Sequence, residues 1–446
     1  MTAEPGLRRE LGLVEVTLSG VGIILGAGIY ALVGVAAEDA GNALWAAFLF
    51  AAVASALTGL SYAALSNLIP KAAAEYDYVR PAWGDWPAFL TGWAVIAGSV
   101  IAIAPVALGF GGYLQSLTPL DQRTGAWLLI GASTLVALWG VRESVWLSVV
   151  FTLIELSGLA LVIAVGLPHV GDVDYFESPE ALPGVLRATA LVFFAYIGFQ
   201  HITKLSEETR DADRVIPMSV GLALGVAAVF YGLVALTAVS VSGWETLAAS
   251  DAPLADVVRD RLGDGGSRAL SVIALFATGN TVLLLIVSMS RIVYGMAQEG
   301  ALPAPLGSVL PGRRTPGAAT VAISLAGAAL VAPGDIEVVA GMTNFMIFLS
   351  FIAVNGALLT LRWRTPPKPG RFQVTLRVGR LDLVPLAGLA GTFLMVSYLK
   401  MEELLWGGLA LAIGAAVRLI WRGGASGPAQ PDEVEVAHAA ARGDPR

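Results

Sequence analysis

The sequence contains no cysteine and only three histidines. Without a thiol, the chain has no disulfide, no thiolate metal site, no cysteine nucleophile and no iron–sulfur cluster. The histidines, His169, His201 and His438, lie far apart and do not form a metal-binding spacing such as H-E-x-x-H. We therefore expect neither a metal site nor a cofactor.

Charge is also scarce. Only 14% of the 446 residues are Asp, Glu, Lys or Arg, whereas soluble domains usually contain about 25%. The net charge is −7 and no soluble segment is strongly basic, which disfavours binding to nucleic acid. Apolar residues make up 56% of the chain, and the mean hydropathy is +0.73. A soluble fold cannot bury that much apolar surface, so the composition predicts an all-α polytopic membrane protein embedded in the lipid bilayer.

The apolar residues are grouped in segments of membrane-spanning length. A bilayer core about 30 Å thick is crossed by roughly 20 helical residues. That length predicts twelve transmembrane helices, near residues 13–36, 43–68, 86–115, 126–141, 144–167, 184–204, 218–241, 269–297, 317–332, 336–361, 381–399 and 403–421. In the longest outer loop, Asp251-Ala-Pro253 and Gly263 predict the start and the end of a short surface helix.

Positive charge is distributed unevenly between the two sides of this arrangement. The two tails and the even-numbered loops contain 21 of the 27 Lys and Arg residues, and the opposite face contains six. Lys and Arg accumulate on the cytoplasmic side of membrane proteins. The asymmetry therefore predicts a multi-pass protein of the cell membrane with both termini in the cytoplasm.

Small residues interrupt the first and the sixth predicted helices. The first contains Gly20, Gly22, Gly26 and Gly28, and the sixth contains Gly198 among aromatic residues. One interpretation is close packing between neighbouring helices. The other is a pair of discontinuous helices that meet at the bilayer midplane, as in transporters built from inverted repeats. Free N–H groups at such a break attract a carboxylate and free carbonyls accept an ammonium, so two uncharged breaks fit a zwitterionic amino acid.

Four motifs resemble those of the amino acid–polyamine–organocation transporter superfamily, in the same order along residues 9 to about 320. They are Arg9-Glu-Leu-Gly-Leu with Gly22-Ile-Ile-Leu-Gly26-Ala-Gly28-Ile-Tyr30, Pro70-Lys-Ala-Ala-Ala-Glu75-Tyr76-Asp-Tyr78-Val-Arg80, Phe194-Ala-Tyr-Ile-Gly198-Phe with Glu207-Glu208-Thr and Arg214-Val-Ile-Pro217, and Ser290-Arg291-Ile-Val-Tyr294-Gly295 with Gly300-Ala-Leu-Pro303. The chain departs from the family pattern at Ala72 and Ala73, which replace glycines, and at Gln200, where relatives often have an acid.

The resemblance implies an amino acid permease with two inverted repeats of five helices each. The repeats would be residues 11–167 and 184–361, followed by two helices in residues 381–421, with residues 1–10 and 423–446 as cytoplasmic tails. By the family's pattern, the substrate carboxylate would bind the N–H groups of Gly26, Ala27 and Gly28. A bulky side chain at Gly28 is then expected to block the ligand and to leave folding intact.

The resemblance also implies the remaining parts of the substrate site. The substrate ammonium would face four backbone carbonyls, those of Ile24, Phe194, Ala195 and Ile197. Three aromatic residues are candidates for a gate over the substrate, with simple packing in the helix bundle as the alternative for each: Phe194, Tyr196 and Phe199.

Glu155 lies near the middle of the fifth predicted helix. A carboxylate at that depth is costly and indicates a functional site. Several proton-coupled relatives have Lys at the matching position, so Glu is a departure. Three roles stay open: a proton carrier, part of a Na⁺ site with hydroxyls such as that of Ser288, or a structural hydrogen-bonding group. We expect a proton carrier, because the first break offers few side-chain oxygens to surround a cation.

Glu207 and Glu208 lie near the C-terminal end of the sixth predicted helix, where the helix dipole disfavours negative charge. Pairing with Arg210 or Arg214 would compensate these carboxylates. We expect ion pairs of Glu207 and Glu208 with Arg214 to form part of an inner gate.

Together these features predict a secondary transporter of amino acids, driven by protons. The alternatives are a transporter of polyamines or organic cations, Na⁺ coupling, amino acid exchange, and a sensor that binds without transporting. The sequence lacks the phosphate loop of ATP-driven pumps and the H-E-x-x-H and G-x-S-x-G motifs of common hydrolases, so neither a primary pump nor an enzyme is expected. No oligomeric state follows from the sequence.

Overall fold

The computed structural model describes residues 11–69, 74–139, 145–207, 209–298, 300, 302–310, 315–364, 376–378 and 381–420. In these residues the chain is helical apart from short connections and one small antiparallel hairpin, formed by β1 (Arg377–Val378) and β2 (Leu381–Asp382). Both predicted tails, 1–10 and 423–446, and Glu208 lie outside the described residues.

The helices follow one another closely along the chain. Their bounds are α1 Leu13–Ile24, α2 Gly28–Ala40, α3 Leu44–Leu68, α4 Ala74–Trp83, α5 Asp85–Ile101, α6 Ile103–Gln115, α7 Gln122–Trp139, α8 Val145–Gly166, α9 Ala181–Val192, α10 Phe199–Lys204, α11 Ala212–Ala248, α12 Pro253–Gln298, α13 Gly317–Val331, α14 Ile336–Arg364, α15 Leu383–Ser397 and α16 Met401–Ile420. Single 3₁₀ turns lie at Gly41–Ala43, Leu167–His169, Phe193–Tyr196, Leu205–Glu207 and Ala304–Gly307.

Many of these helices are long and apolar enough to cross a membrane. Within the described part of the chain, eight helical stretches meet that criterion, and α1, α13 and α15 are shorter apolar helices. The prediction of a helical, multi-pass membrane protein is therefore confirmed. Every predicted segment overlaps a helix or a consecutive pair of helices, but twelve crossings arranged as inverted repeats stay a prediction.

Two glycines bend the long helices on the predicted outer side. The helix α12 begins at Pro253, and its axis is interrupted at Gly263, where φ is +66°. Gly243 interrupts α11 in the same way, with φ of +71°. Because glycine alone adopts this region at little cost, each bend is specified locally. The predicted short helix from Pro253 to Gly263 is thus confirmed.

The core of the molecule surrounds the ends of α1, α2, α9 and α10. The helix α11 packs against α1, α2 and α3, and the largest fully buried side chains include Tyr30, Tyr196, Phe199 and Tyr231. Large apolar side chains on α7, α8 and α16 are instead exposed, as expected for surfaces that contact lipid tails. The interrupted helices therefore lie at the centre of the bundle.

Candidate functional site

The first interruption separates α1 from α2. The helix α1 ends at Ile24, α2 begins at Gly28, and no side chain caps the N-terminus of α2 at Ala27. The first N–H groups of a helix have no partner within that helix. Gly26, Ala27 and Gly28, which the sequence predicts to bind a carboxylate, are all buried at this uncapped end. The end can therefore donate hydrogen bonds without any charged side chain.

The second interruption separates α9 from α10. After Val192 the chain forms a 3₁₀ turn, Ile197 is extended, and Gly198 has φ of +136°. Only glycine adopts that φ readily. The N–H of Gly198 donates to the side-chain oxygen of Gln200 at 2.9 Å, so the Gln200 side chain binds the backbone of the break itself.

The two interruptions pack directly against each other. A methyl group added at Gly28 would lie 2.6 Å from the Cα of Ala195, and one at Gly198 would lie 2.7 Å from a side-chain carbon of Ile23. The space beside Gly28 is therefore filled by the backbone of the second break. This corrects the expectation for a bulky residue at Gly28, since such a residue would disturb the fold as well as a ligand. A methyl group added at Gly26 would instead have the side-chain oxygen of Thr281 as its nearest neighbour, at 3.3 Å.

A tyrosine from α11 joins the two breaks. The hydroxyl of Tyr231 donates to the carbonyl of Ile24 at 2.6 Å and lies 3.1 Å from the carbonyl of Ala195. Tyr231 is fully buried, and a buried tyrosine hydroxyl needs such a partner. Sequence reasoning missed this residue, because one tyrosine in an apolar helix carries no local signal of its role.

The four carbonyls predicted to face an ammonium differ in their partners. Ile24 and Ala195 share the hydroxyl of Tyr231, and the carbonyl of Phe194 accepts from the N–H of Ile197 at 3.2 Å. A carbonyl oxygen has two lone pairs. Each of the engaged carbonyls therefore retains capacity to accept a second hydrogen bond.

The three candidate gate residues are buried to different degrees. Tyr196 and Phe199 are fully buried, and Phe194 is 7% exposed. The Tyr196 hydroxyl donates to the carbonyl of Phe48 at 3.0 Å, and the Phe199 ring lies edge-on to Tyr62 at 5.8 Å between centroids. Tyr196 and Phe199 thus make packing contacts in this conformation, and Phe194 is the one with residual exposure.

Glu155 faces the interior of the bundle from α8. It is 2% exposed, and its carboxyl lies beside the side-chain amide of Asn280 on α12. The backbone carbonyl of Glu155 accepts from the hydroxyl of Tyr30, in the first turn of α2, at 2.8 Å. Glu155 is therefore connected to the helix that follows the first break. Asn280 was not anticipated from the sequence.

The residues predicted to form the inner gate are only partly described by the structure. Arg214 is exposed on the first turn of α11, whereas Glu208 and the side chain of Glu207 lie outside the described residues. The inner-gate ion pairs stay a prediction. Within the residues that the structure describes, no group of three or more His, Asp or Glu side chains is arranged to hold a metal ion.

A group of ion pairs that sequence reasoning missed lies near the C-terminal end of α2, the end away from the breaks. Arg187 on α9 forms an ion pair with Asp39 on α2 at 3.1 Å and another with Glu180. The hydrogen bond from Arg187 lowers the pKa of Glu180, so that this carboxylate stays charged. Lys400, before α16, pairs with Glu337 on α14. These ion pairs join α9 to α2 and the start of α16 to α14, and Asp39, Arg187, Glu337 and Lys400 line one small pocket.

Comparison with known proteins shows the family of this chain. The family model described as "Amino acid permease" matches residues 11–402. An uncharacterized transporter of Mycobacterium tuberculosis is 31% identical over 413 residues, which are 92% of this chain and 90% of that protein. The branched-chain amino acid permease BcaP of Bacillus subtilis is 27% identical over 83% of this chain and 85% of its own. The vacuolar cationic amino acid transporter 4 of Arabidopsis thaliana is 32% identical over 81% of this chain and 64% of its own. The chain therefore belongs to the amino acid permease family, which is a family of transporters and not of enzymes.

Proposed function

We propose that this protein is a proton-coupled secondary transporter that moves amino acids across the cell membrane by alternating access. The observation that carries the proposal is the contact between two uncharged helix breaks, which presents N–H groups and carbonyls in one buried place. Membership of the permease family supports the transport function. The names of two relatives, a branched-chain amino acid permease and a cationic amino acid transporter, support amino acids as the substrate class.

The chemistry of the breaks favours a zwitterion. The uncapped end of α2, at Gly26, Ala27 and Gly28, supplies N–H donors and the positive end of a helix dipole to a carboxylate. The other charged group of the substrate, its ammonium, binds the carbonyls of Ile24, Phe194, Ala195 and Ile197. Neither break contains a charged residue, so the α-amino and α-carboxyl groups carry most of the recognition.

The transport cycle that follows from this site uses the inverted-repeat architecture. In the proposal, residues 11–167 and 184–361 form the repeats, residues 381–421 add two helices, and both tails are cytoplasmic because 21 of the 27 basic residues lie on that side. Phe194, Tyr196 or Phe199 closes over the substrate. Glu207 and Glu208 with Arg214 close the inner side.

Glu155 couples the cycle to protons in this proposal. A bare carboxylate this deep in a membrane must be neutralised, and Glu155 is buried beside a neutral amide, Asn280, and on a helix held by Tyr30. Protonation removes the charge of the carboxyl, and the hydrogen bond from Tyr30 to the backbone carbonyl of Glu155 joins α8 to the helix that contributes the N–H donors. Binding of a proton and binding of substrate are then linked through α2.

The experiment is uptake by the purified protein in liposomes, with imposed proton or Na⁺ gradients. We expect an inward proton gradient to accelerate amino acid uptake and Na⁺ to have no effect. Decarboxylated analogues should bind far more weakly than the parent amino acids. Equal or tighter binding of polyamines would indicate an organic-cation transporter, and binding without transport would indicate a sensor.

The coupling role is tested by Glu155→Gln, which imitates the protonated carboxyl at nearly the same volume. We expect this variant to retain substrate binding and to lose the pH dependence of uptake. Glu403→Gln is the matched control, because Glu403 is also buried (3% exposed) but caps the start of α16 by accepting from the N–H of Lys400 at 2.8 Å. An unchanged pH profile in Glu155→Gln would assign Glu155 a structural role, and a strict Na⁺ requirement in wild type would indicate a cation site.

A further inference from the structure

Asn344 on α14 contacts the end of α9 just before the second break. Its side-chain amide donates to the carbonyl of Ala190 at 2.7 Å and to the carbonyl of Leu191 at 3.0 Å. Asn344 and both acceptor residues are buried, with exposures of 0%, 1% and 4%. One turn further along α14, Phe348 packs edge-on against Phe193 at 5.0 Å between centroids. The same face of α14 therefore supports both the last turn of α9 and the first residue of the 3₁₀ turn.

The geometry of the helix end explains how an amide stabilises it. In a 3₁₀ turn each N–H bonds the carbonyl three residues back, whereas in an α-helix the separation is four. The N–H of Phe193, the first residue of the turn, donates to the carbonyls of Thr189 and Leu191 and not to that of Ala190, and a buried carbonyl without a donor is costly. A primary amide has two N–H donors, so Asn344 can satisfy two adjacent carbonyls at once.

The orientation of this amide is determined by its surroundings. If the amide were reversed, its oxygen would face the two carbonyl oxygens and no hydrogen bond would form. In the observed orientation the Asn344 side-chain oxygen has no hydrogen-bond partner within the part of the chain that the structure describes. The cost of leaving that buried acceptor unsatisfied indicates that the two bonds to α9 determine how the side chain is placed.

We propose that Asn344 is a positioning residue for the substrate site: it determines where α9 ends and thereby where the carbonyls of Phe194, Ala195 and Ile197 point. This inference rests on the proposed function, because those carbonyls are the ones assigned to the substrate ammonium. Asn344 itself acts through α9 and does not contact the substrate.

The test compares two substitutions of Asn344 with the same substitutions of Asn355. Asn355 is a fully buried amide on the same helix, but it donates to Thr58 at 3.2 Å and to the carbonyl of Phe351 at 2.9 Å, away from α9. Asn344→Leu removes both donors, keeps the branched shape of the side chain and should weaken amino acid binding roughly tenfold or more at every pH. Asn355→Leu should leave the dissociation constant within about twofold of wild type.

Asn344→Asp gives a second measurement, the pH dependence of substrate affinity, which would not change if Asn344 had only a structural role. A protonated Asp still donates one hydrogen bond, whereas an ionised Asp donates none and repels both carbonyl oxygens. The ratio of the dissociation constants of Asn344→Asp and wild type should therefore rise as the pH rises. In Asn355→Asp that ratio should stay constant. If Asn344→Leu fails to fold, Asn344→Asp at acid pH still tests the inference.

A third measurement is independent of the substrate. Because the chain has no cysteine, a single cysteine introduced at Ile197 is the sole site for a thiol reagent. Adding Asn344→Leu should change the labelling rate at that cysteine at least about threefold, and adding Asn355→Leu should not. Unchanged labelling together with unchanged affinity would overturn the inference. Failure of wild type to bind any amino acid, with the labelling change present, would overturn the proposed function instead.

Discussion

The hydroxyl of Tyr231 offers the most direct test of how the two breaks are held together. Tyr231→Phe removes this hydroxyl and leaves the ring in its contacts with Tyr196 and Phe48, at 5.2 Å and 5.5 Å between centroids. The substitution therefore changes hydrogen bonding and preserves packing. In wild type the same hydroxyl reaches the carbonyls of Ile24 and Ala195, one from each break.

The magnitude of the effect follows from burial of the two carbonyls. Ile24 is 1% exposed and Ala195 is 2% exposed, so water does not replace the lost donor. A buried acceptor left without a donor costs about 1–3 kcal/mol, which is roughly a 5- to 150-fold change in an equilibrium constant. Part of this cost lowers the stability of the free protein. The rest appears in substrate affinity, because the carbonyls are no longer held at one point, and we expect the Kd to rise at least about fivefold.

The assay is equilibrium binding of an amino acid to purified protein, with thermal unfolding measured in parallel. Tyr113→Phe is the matched control, because Tyr113 is also fully buried and its hydroxyl donates to a single backbone carbonyl, that of Tyr30, at 3.2 Å. Both variants should unfold at lower temperature, and only Tyr231→Phe should bind substrate more weakly. A Kd in Tyr231→Phe equal to that of Tyr113→Phe would refute the claim that bridging the breaks shapes the site.

Two further predictions concern the same part of the bundle. Gly28→Ala places a methyl group against the backbone of Ala195 and should lower the free energy of unfolding by about 1–3 kcal/mol. Gly26→Ala is the control, because its methyl group meets only a side-chain atom at 3.3 Å. Equal melting temperatures for the two variants would contradict the packing described for the breaks. The Arg187–Asp39 ion pair is partly exposed, with side-chain exposures of 29% and 18%. A double-mutant cycle of Arg187→Ala and Asp39→Asn should therefore give a coupling free energy of about 0.2–1 kcal/mol in unfolding experiments. An absence of coupling would show that the pair does not join α9 to α2 in solution.

The class of the protein and the positions of its helices were predictable because both depend on local sequence. Apolar length determines whether a segment can cross a bilayer, and every predicted segment overlaps a helix. The short helix between Pro253 and Gly263 was also predictable, since proline starts a helix and glycine adopts positive φ without a partner elsewhere in the chain.

The family was predictable from short motifs, which is also a local property. The glycines around residues 20–28 and Gly198 marked the interruption between α1 and α2 and the one between α9 and α10. Gly28 is required by a close contact and Gly198 by its own backbone, so at these two positions the residue type carries the information. The roles assigned to Gly26, Ala27, Glu155 and the other site residues stay predictions.

The partners of these residues were decided only by the tertiary structure. Tyr231 lies 207 residues from Ile24, Asn344 lies 154 residues from Ala190, and Asn280 reaches Glu155 from another helix. In a membrane helix that is apolar on all sides, hydropathy does not mark which face turns inward. The rotation and depth of each helix are set by packing against its neighbours. For that reason the breaks in the helices could be located from the amino-acid sequence, whereas the atoms that fill the space beside Gly28 and the side chains that hold the two breaks together follow from packing in the folded bundle.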